Sequence, residues 1–481
     1  MSSSTSRILC SLGTAIIGSC FLLVNAIPAM AELVVTDELS VGVDTGRILP
    51  DQQSGKFWVV AHLQGLILVS EDESGVWGIE HFEGYEVLDA VGPDSQGYIY
   101  CTYTASGPPH GVVIFDCINE QYSRTIDFPW SGASGIVISP DEQRLYVTIH
   151  STDQGADSPD EASENSGLVI EVDIVSGNVL RTCSVRAWPG TICLWNDDAL
   201  LVSCQKQYWE ANDRYEEMKS TTDVIALDTF TKIAEIPSNF AEWPETNDLQ
   251  RWGESSVALF NLYLYSDFED PKYGDAIWLI DPETGAVADS IRVEYLDGDE
   301  SGVLHAFISE KCPGLMYLSL AGYDRIWEFP VIVADTCGNY VDHAVTPPGF
   351  TPSFICEIDD HRIMVTDWLT DKVCILEWVN HPPICALELL TPMPYIGPSP
   401  ALIEFNAAAS YDPDPCDELM YEWDFDGDHV FGEPVDDAYT GFSVAPTHAY
   451  TEDYRGYVYL KVSDGRGGES ICEVEVSVTI Q

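Results

Sequence analysis

The chain has 481 residues and carries 79 Asp plus Glu against 21 Lys plus Arg, a formal charge of −58. Apolar residues make up 45% and aromatic residues 11%, enough to pack cores and too many for a disordered acidic tail. So few bases argue against nucleic acid, whose affinity comes largely from Lys and Arg neutralising phosphates, and against anionic membrane surfaces; divalent cations and cationic partners stay open.

Residues 1–31 predict a secretory signal. Arg7 precedes the apolar run from Ile16 to Val24, and Ala29-Met30-Ala31 supplies a small-x-small cleavage site. Asn25 and Pro28 interrupt the run well short of the about 20 residues that a membrane anchor needs. Ile17-Gly18-Ser19-Cys20 loosely fits a lipoprotein box, but the run continues past Cys20 to the better site. No second long apolar segment and no sorting tail follow, so the expectation is non-covalent attachment to any surface. Cleavage would remove Cys10 and Cys20 and leave an even number of cysteines, which in an exported chain predicts disulfides. There is no Cys-x-x-Cys pair, Cys/His zinc spacing or Asn-x-Ser/Thr sequon.

From about residue 35 to residue 379 one pattern of about fifty residues returns. The third copy shows it best: Ser134-Gly-Ile-Val-Ile-Ser-Pro-Asp141, Arg144-Leu-Tyr-Val-Thr148, then Leu168-Val-Ile-Glu-Val-Asp173-Ile-Val-Ser-Gly177. Third strands end in acids at Asp116, Asp173, Asp228 and Asp281, and each of these is read as a turn cap. Second strands recur at 57–60, 98–101, 144–148, 200–203, 315–319 and 363–366, and further third strands at 66–69, 277–281, 326–329 and 373–377. Alternating strands without a helical period predict an all-β chain, and the spacing gives seven four-stranded units, the geometry of a seven-bladed β-propeller. The last unit has three clear strands; Leu33-Val34-Val35-Thr36, with no partner in its own unit, is expected to supply the fourth and close the ring. The wording Ile-Ser-Pro-Asp-Glu-Gln-Arg-Leu-Tyr-Val followed by Val-Asp-x-x-Ser-Gly resembles YVTN-type propeller repeats, found in bacterial exported proteins and archaeal surface-layer proteins. Cys101 with Cys117 and Cys356 with Cys374 fall on neighbouring strands of one unit and are expected pairs.

Two insertions interrupt the repeat. Residues 151–167 carry five acids and no base and read as a solvated loop, with calcium binding as the alternative. Residues 205–222 hold Tyr208, Trp209 and Tyr215, a candidate binding loop because aromatic side chains bury much area at little entropic cost; a local hydrophobic clasp is the alternative.

At Asn380-His-Pro-Pro383 the repeat stops. Phe405-Asn-Ala-Ala-Ala-Ser-Tyr-Asp-Pro-Asp414, Tyr421-x-Trp-Asp-Phe425, Pro446-Thr-His-Ala-Tyr450, Gly456 through Asp464-Gly465, Gly467-Gly468 and Val474-x-Val-x-Val478 follow in order. Residues 380–481 thereby resemble a PKD domain, the Ig-like β-sandwich of polycystin and many microbial surface proteins. Trp423 is expected in its core, and Asp464-Gly465 with Gly467-Gly468 at a hairpin. By the same resemblance, calcium near the start of the domain would involve Asn380, Asp412 and Asp414. Asp424, Asp426 and Asp428 stand at alternate positions like the opening of a calcium loop, but His429 and Val435 replace the Gly and Glu of an EF-hand; solvated turn acids are the alternative. Cys416 and Cys472, placed on two loops at one end of such a sandwich, are expected to bond.

An enzyme would place its site at the propeller axis, where His62, Glu254 and His305 are the candidates. No Gly-x-Ser-x-Gly elbow, His-Glu-x-x-His helix or phosphate loop is present. The favoured expectation is a secreted or cell-surface protein of bacterial or archaeal type. It would contact an extracellular protein or polysaccharide, with calcium as its only expected cofactor. A metal-dependent lactonase or lyase is the alternative.

Overall fold

The computed structural model describes residues 32–481 except 44, 62–63, 105–109, 152–165, 196–197, 205–219, 239–247, 253–256, 262–275, 282–285, 293–300, 323–330, 337–338, 345, 348–349, 368–370 and 433–442. Every described regular element is a β-strand, and no helix among these residues is long and apolar enough to cross a membrane. The chain divides between Glu377 and Trp378 into two compact units.

The first unit is a seven-bladed β-propeller of four-stranded sheets. Its innermost strands are Thr45–Asp51, Glu86–Val91, Ser131–Ile138, Pro189–Trp195, Asp248–Trp252, Ser301–Ile308 and Pro352–Glu357. Each packs against the next, and the last packs against the first, so the ring is closed. Blade 7 takes its outermost strand, Leu33–Ser40, from the start of the chain, as the lone apolar run predicts. Thr36 reaches the Ile375 carbonyl (3.4 Å), and Glu38 pairs with Lys372 (2.5 Å).

Cores lie between neighbouring blades. Trp58 of blade 1, fully buried, meets Phe115 of blade 2 edge-on with ring centroids 4.9 Å apart. Tyr146 and Val169 of blade 3 share a core with Leu200, Ile225 and Phe230 of blade 4.

Six innermost strands carry a bulge at the same place, opposite Val60, Thr102, Thr148, Ser203, Ser319 and Thr366 of the second strands. The five hydroxyls are all fully buried. Thr148 Oγ1 accepts the Gly135 N–H of its own bulge (2.8 Å) and donates to the Gly190 carbonyl of the next blade (3.0 Å). Thr102 does the same with the Asp89 N–H and the Ser134 carbonyl, and Thr366 with the Phe354 N–H and the Gly46 carbonyl. Ser319 donates to the Ser353 carbonyl (3.0 Å). A bulge leaves a backbone amide without a ladder partner, and the hydroxyl supplies one. Gly135 is required here, because a Cβ would lie 2.3 Å from the Gly190 carbonyl oxygen.

At Asp116 and Asp173 the acids ending the third strands cap turns, while the side chain of Asp281 lies outside the described residues. Asp116 accepts the Ile118 and Asn119 amides (3.0 Å each), and Asp173 the Ser176 amide and hydroxyl (2.7 Å each). In blade 6 the third strand is Val331–Asp335, while the expected 326–329 lies outside the described residues; Val331-Ile-Val-Ala is buried and ends in the same kind of acid, Asp335, which accepts the Asn339 amide. Neither expected cysteine pair forms, and Cys101, Cys117, Cys356 and Cys374 are free thiols. The strand Arg362–Asp367 lies between those of Cys356 and Cys374, which puts two inter-strand spacings, about 9–10 Å, between them. Cys101 stands opposite Val113, four residues and about 13 Å of strand rise from Cys117.

The second unit is an Ig-like β-sandwich. One sheet contains Glu388–Leu389, Ala401–Asn406 and Thr447–Tyr450. The other contains Tyr395–Gly397, Glu469–Ile480, Tyr454–Ser463 and Met420–Asp424. Trp423 fills the core as expected: it is fully buried, lies parallel to Phe425 at 5.6 Å and donates from Nε1 to the Ser443 carbonyl (2.8 Å). Cys472 bonds to Cys385, not to Cys416, with Cα atoms 5.8 Å apart. The Cys385 segment runs beside the Leu460 carbonyl, and Leu460 is the cross-strand partner of Cys472, which places Cys385 rather than Cys416 beside it. Cys312 in the propeller is also disulfide-bonded. Such bonds suit an oxidising compartment.

Replacing Thr148 with Val keeps the shape but strands the Gly135 N–H and the Gly190 carbonyl. The expected loss is about 1–3 kcal/mol in chemical unfolding of the propeller, with Thr148→Ser close to wild type. A Thr148→Val protein as stable as wild type would show that the hydroxyl seam contributes nothing.

Candidate metal centre in the C-terminal sandwich

Two short segments build the centre. Asp412-Pro413-Asp414-Pro415 follows the strand Ala401–Asn406, and its prolines restrict the backbone. Asp464 opens the turn between the strands Tyr454–Ser463 and Glu469–Ile480. Its Oδ1 accepts the Arg466 amide (2.7 Å) and the Gly468 amide (3.0 Å), while Oδ2 accepts Asn380 Nδ2 (3.1 Å). Gly468 has no room for a side chain, since a Cβ would lie 2.2 Å from Asp464 Oδ2 and 2.9 Å from Pro382 Cα.

Asp412, Asp417 and Asp464 each bring a carboxylate oxygen within 4.8 Å of the others. The Asp417 side chain is 1% exposed, and Arg466 lies 3.5 Å from its Oδ2. Asp412 uses Oδ1 to accept the Asp414 amide (2.9 Å), and its buried Oδ2 makes no hydrogen bond. Burial, reinforced by the charges of Asp414 and Asp464, pushes the Asp412 carboxyl up to about 6. Burial pushes Asp417 up to about 7 against the opposing effect of Arg466. Three carboxyl groups facing one guanidinium leave negative charge that a proton or a cation must offset. An all-oxygen donor set suits a hard divalent cation such as calcium.

The sequence-derived set is brought together in part. Asp412 lies in the cluster, and Asn380 reaches it through Asp464. Asp414 turns away: its Oδ2 accepts the His381 amide and its Oδ1 meets His381 Nδ1 (2.8 Å). Asp417 and Asp464 were missed. Asp464 reads from sequence as a hairpin residue, and Asp417 as one acid among many in an acid-rich loop; only the fold brings them beside Asp412.

Asp424, Asp426 and Asp428 also bring oxygens within 4.8 Å of one another, but each is engaged in its own turn. Asp424 accepts the Gly427 and His429 amides (2.7 and 2.8 Å), Asp426 the Asp428 amide (3.1 Å) and Asp428 the Val430 amide (2.8 Å). The strand ends at Asp424, so alternation along a strand does not govern these acids, and the turn-acid alternative accounts for them.

Tyr208, Trp209 and Tyr215, like His62 and Glu254, lie outside the described residues, as does most of the acidic insertion at 152–165. His305 is described: it is 6% exposed and packs against Phe354 of the next blade, with ring centroids 5.1 Å apart.

No family model and no curated protein matches this chain. Among solved structures, the hydrazine synthase of Kuenenia stuttgartiensis is similar with a TM-score of 0.40 and 13% identity, over 56% of this chain and 70% of that one.

A carboxyl whose folded pKa exceeds its unfolded value keeps a proton that the unfolded chain releases. Stability from Asp412 is therefore fully present below about pH 4 and fades as pH rises through about 6. In calcium-free buffer, Asp412→Asn is expected to match wild type near pH 4 and to become progressively more stable than it up to pH 7. A constant difference in unfolding temperature across that range would contradict the burial of this carboxyl.

Proposed function

We propose that this chain is an exported cell-surface or extracellular binding protein. It contacts protein or carbohydrate through the loops of a YVTN-type propeller and through a C-terminal PKD module, with calcium held near the start of that module by Asp412, Asp417 and Asp464. The observation that carries the reading is the convergence of these three carboxyl groups, two of them with raised pKa, on a disulfide-stapled sandwich. A cation there would replace protons and tie the Asp412 segment to the Asp464 turn, making a rigid module depend on extracellular calcium.

The propeller supports the same reading through connectivity. In sequence, the stretch between the second and third strands of blade 4, 205–219, holds two Tyr and one Trp, and it lies outside the described residues. A metal-dependent lactonase or lyase at the axis is the competing reading. Of its three candidates His305 packs against Phe354.

The test is a calorimetric calcium titration of the mature protein. Wild type is expected to bind calcium with release of protons near pH 6.5, more tightly as pH rises, and with a higher unfolding temperature. Asp412→Asn with Asp417→Asn is expected to lose at least about tenfold in affinity while keeping its strand content. Unchanged calcium affinity in the double variant would reject the site.

A further inference from the structure

We propose that Arg466 is the residue that sets how strongly the Asp412 centre binds a cation and how steeply that strength depends on the cation's charge. The inference rests on the calcium reading above and names the residue that regulates that site. Three carboxyl groups converge there, and Asp412 Oδ2, buried and without a hydrogen bond, is the atom left for an ion. Arg466 is the base set among them. Its amide donates to Asp464 Oδ1 (2.7 Å), its Nη2 donates to the Trp378 carbonyl (2.9 Å), and its Nη1 lies 3.5 Å from Asp417 Oδ2. Its side chain is 14% exposed. A guanidinium tethered at backbone and tip does not swing into water when a second positive charge arrives, so its repulsion persists in the loaded centre.

The competing role is that of a neutralising partner that makes an ion unnecessary. Glu171 shows what such partners look like in this chain. Fully buried, it takes Arg144 at 2.6 Å and Arg181 Nη2 at 2.9 Å, two bases for one acid, at the spacing of charge-assisted hydrogen bonds. At the Asp412 centre one base faces three acids and stands 3.5 Å from Asp417. Burial raises the Asp412 and Asp417 carboxyls, and the Arg466 charge opposes that rise at both without reversing it. Arg466 therefore lends the centre a field and leaves Asp412 Oδ2 open. Calcium affinity in oxygen sites is tuned by the count of ligand charges, and a fixed positive charge subtracts from that count. Its repulsion is proportional to the charge of the incoming ion, so it weakens a trivalent ion more than calcium.

The test is calorimetric titration of the mature protein near pH 8 with calcium and with lanthanum(III), an ion of similar radius and one more charge. A unit charge about 6 Å from the ion, screened as in water, changes affinity about threefold per unit of ion charge. Arg466→Gln is therefore expected to bind calcium about tenfold and lanthanum about thirtyfold more tightly than wild type. Arg466→Lys, which keeps the charge, is expected to keep the wild-type ratio of the two affinities. Loss of the Trp378 hydrogen bond alone would alter both ions equally, so the ratio reads the charge and not the fold. If wild type binds calcium and Arg466→Gln binds no tighter, or gains the same factor for both ions, the inference is overturned and the calcium site stands. If wild type binds neither ion, the site is rejected and this role with it. Should Arg466→Gln not fold, a lanthanum-to-calcium ratio in Arg466→Lys that departs from wild type would overturn the inference.

Discussion

The propeller depends on one repeated contact, a buried hydroxyl that binds two backbones at once. A ring of sheets packed face to face needs its innermost strands to turn sharply and to approach closely at the axis. The bulges at Gly135 and Gly190 provide the turn, and each leaves polar backbone groups turned away from its own ladder. Thr102, Thr148 and Thr366 satisfy the amide behind them and the carbonyl ahead of them, so every such residue is both a bulge filler and a blade joint. Among the six bulges, that of blade 1 has no hydroxyl opposite it: Val60 takes the place, and Gly46 lies against it. There the joint is made by packing, and by the arrival of Thr366 from blade 7 on the other side.

The scarcity of bases sets a second constraint. The described bases in ion pairs serve largely as joints within and between blades. Arg47 reaches Asp89 from blade 1 to blade 2, Lys56 reaches Glu120, and Arg362 links blade 7 to Glu71 of blade 1. In blade 3, burial of Glu171 is outweighed by Arg181 and Arg144, and its pKa falls; in blade 4, Asp223 has Lys232 as its one side-chain base and burial raises its pKa. In the described propeller, buried Glu171 and Asp223 are each met by a base. This explains how so acidic a chain can hold well-packed cores.

Much of the fold was legible in the sequence, because strand period and turn acids are local properties. The run Val331-Ile-Val-Ala-Asp335 obeyed the same rule as Asp116 and Asp173, although 326–329 also looked like a strand. The hydroxyl seam was visible too: Tyr100-Cys-Thr102, Tyr146-Val-Thr148, Tyr317-Leu-Ser319 and Met364-Val-Thr366 repeat a large residue, a spacer and a hydroxyl. Its meaning was not legible, since the partner carbonyl belongs to the next blade. The same limit governs the cysteines. Cys385 and Cys472 are 87 residues apart, and only the path of the segment leading into Glu388–Leu389 brings them together. Asn380 and Asp412 came from a motif, but Asp417 and Asp464 from the fold alone.

The acids that look alike in the sequence part company once solvation is considered. Asp72, Asp116 and Asp173 sit in open turns, where a hydroxyl or amide side chain and backbone N–H groups donate to the charged form and lower the pKa. Asp412 and Asp417 are pushed the other way by burial. The first kind is fully provided for by its own turn and asks nothing of the solution. The second keeps an electrostatic cost that its own protein does not remove, and a cation or a proton removes it. Counting acids locates neither kind. What separates a turn cap from the proposed cation ligand Asp412 is whether the fold takes water away without supplying a donor in its place, as it does at Asp412 Oδ2.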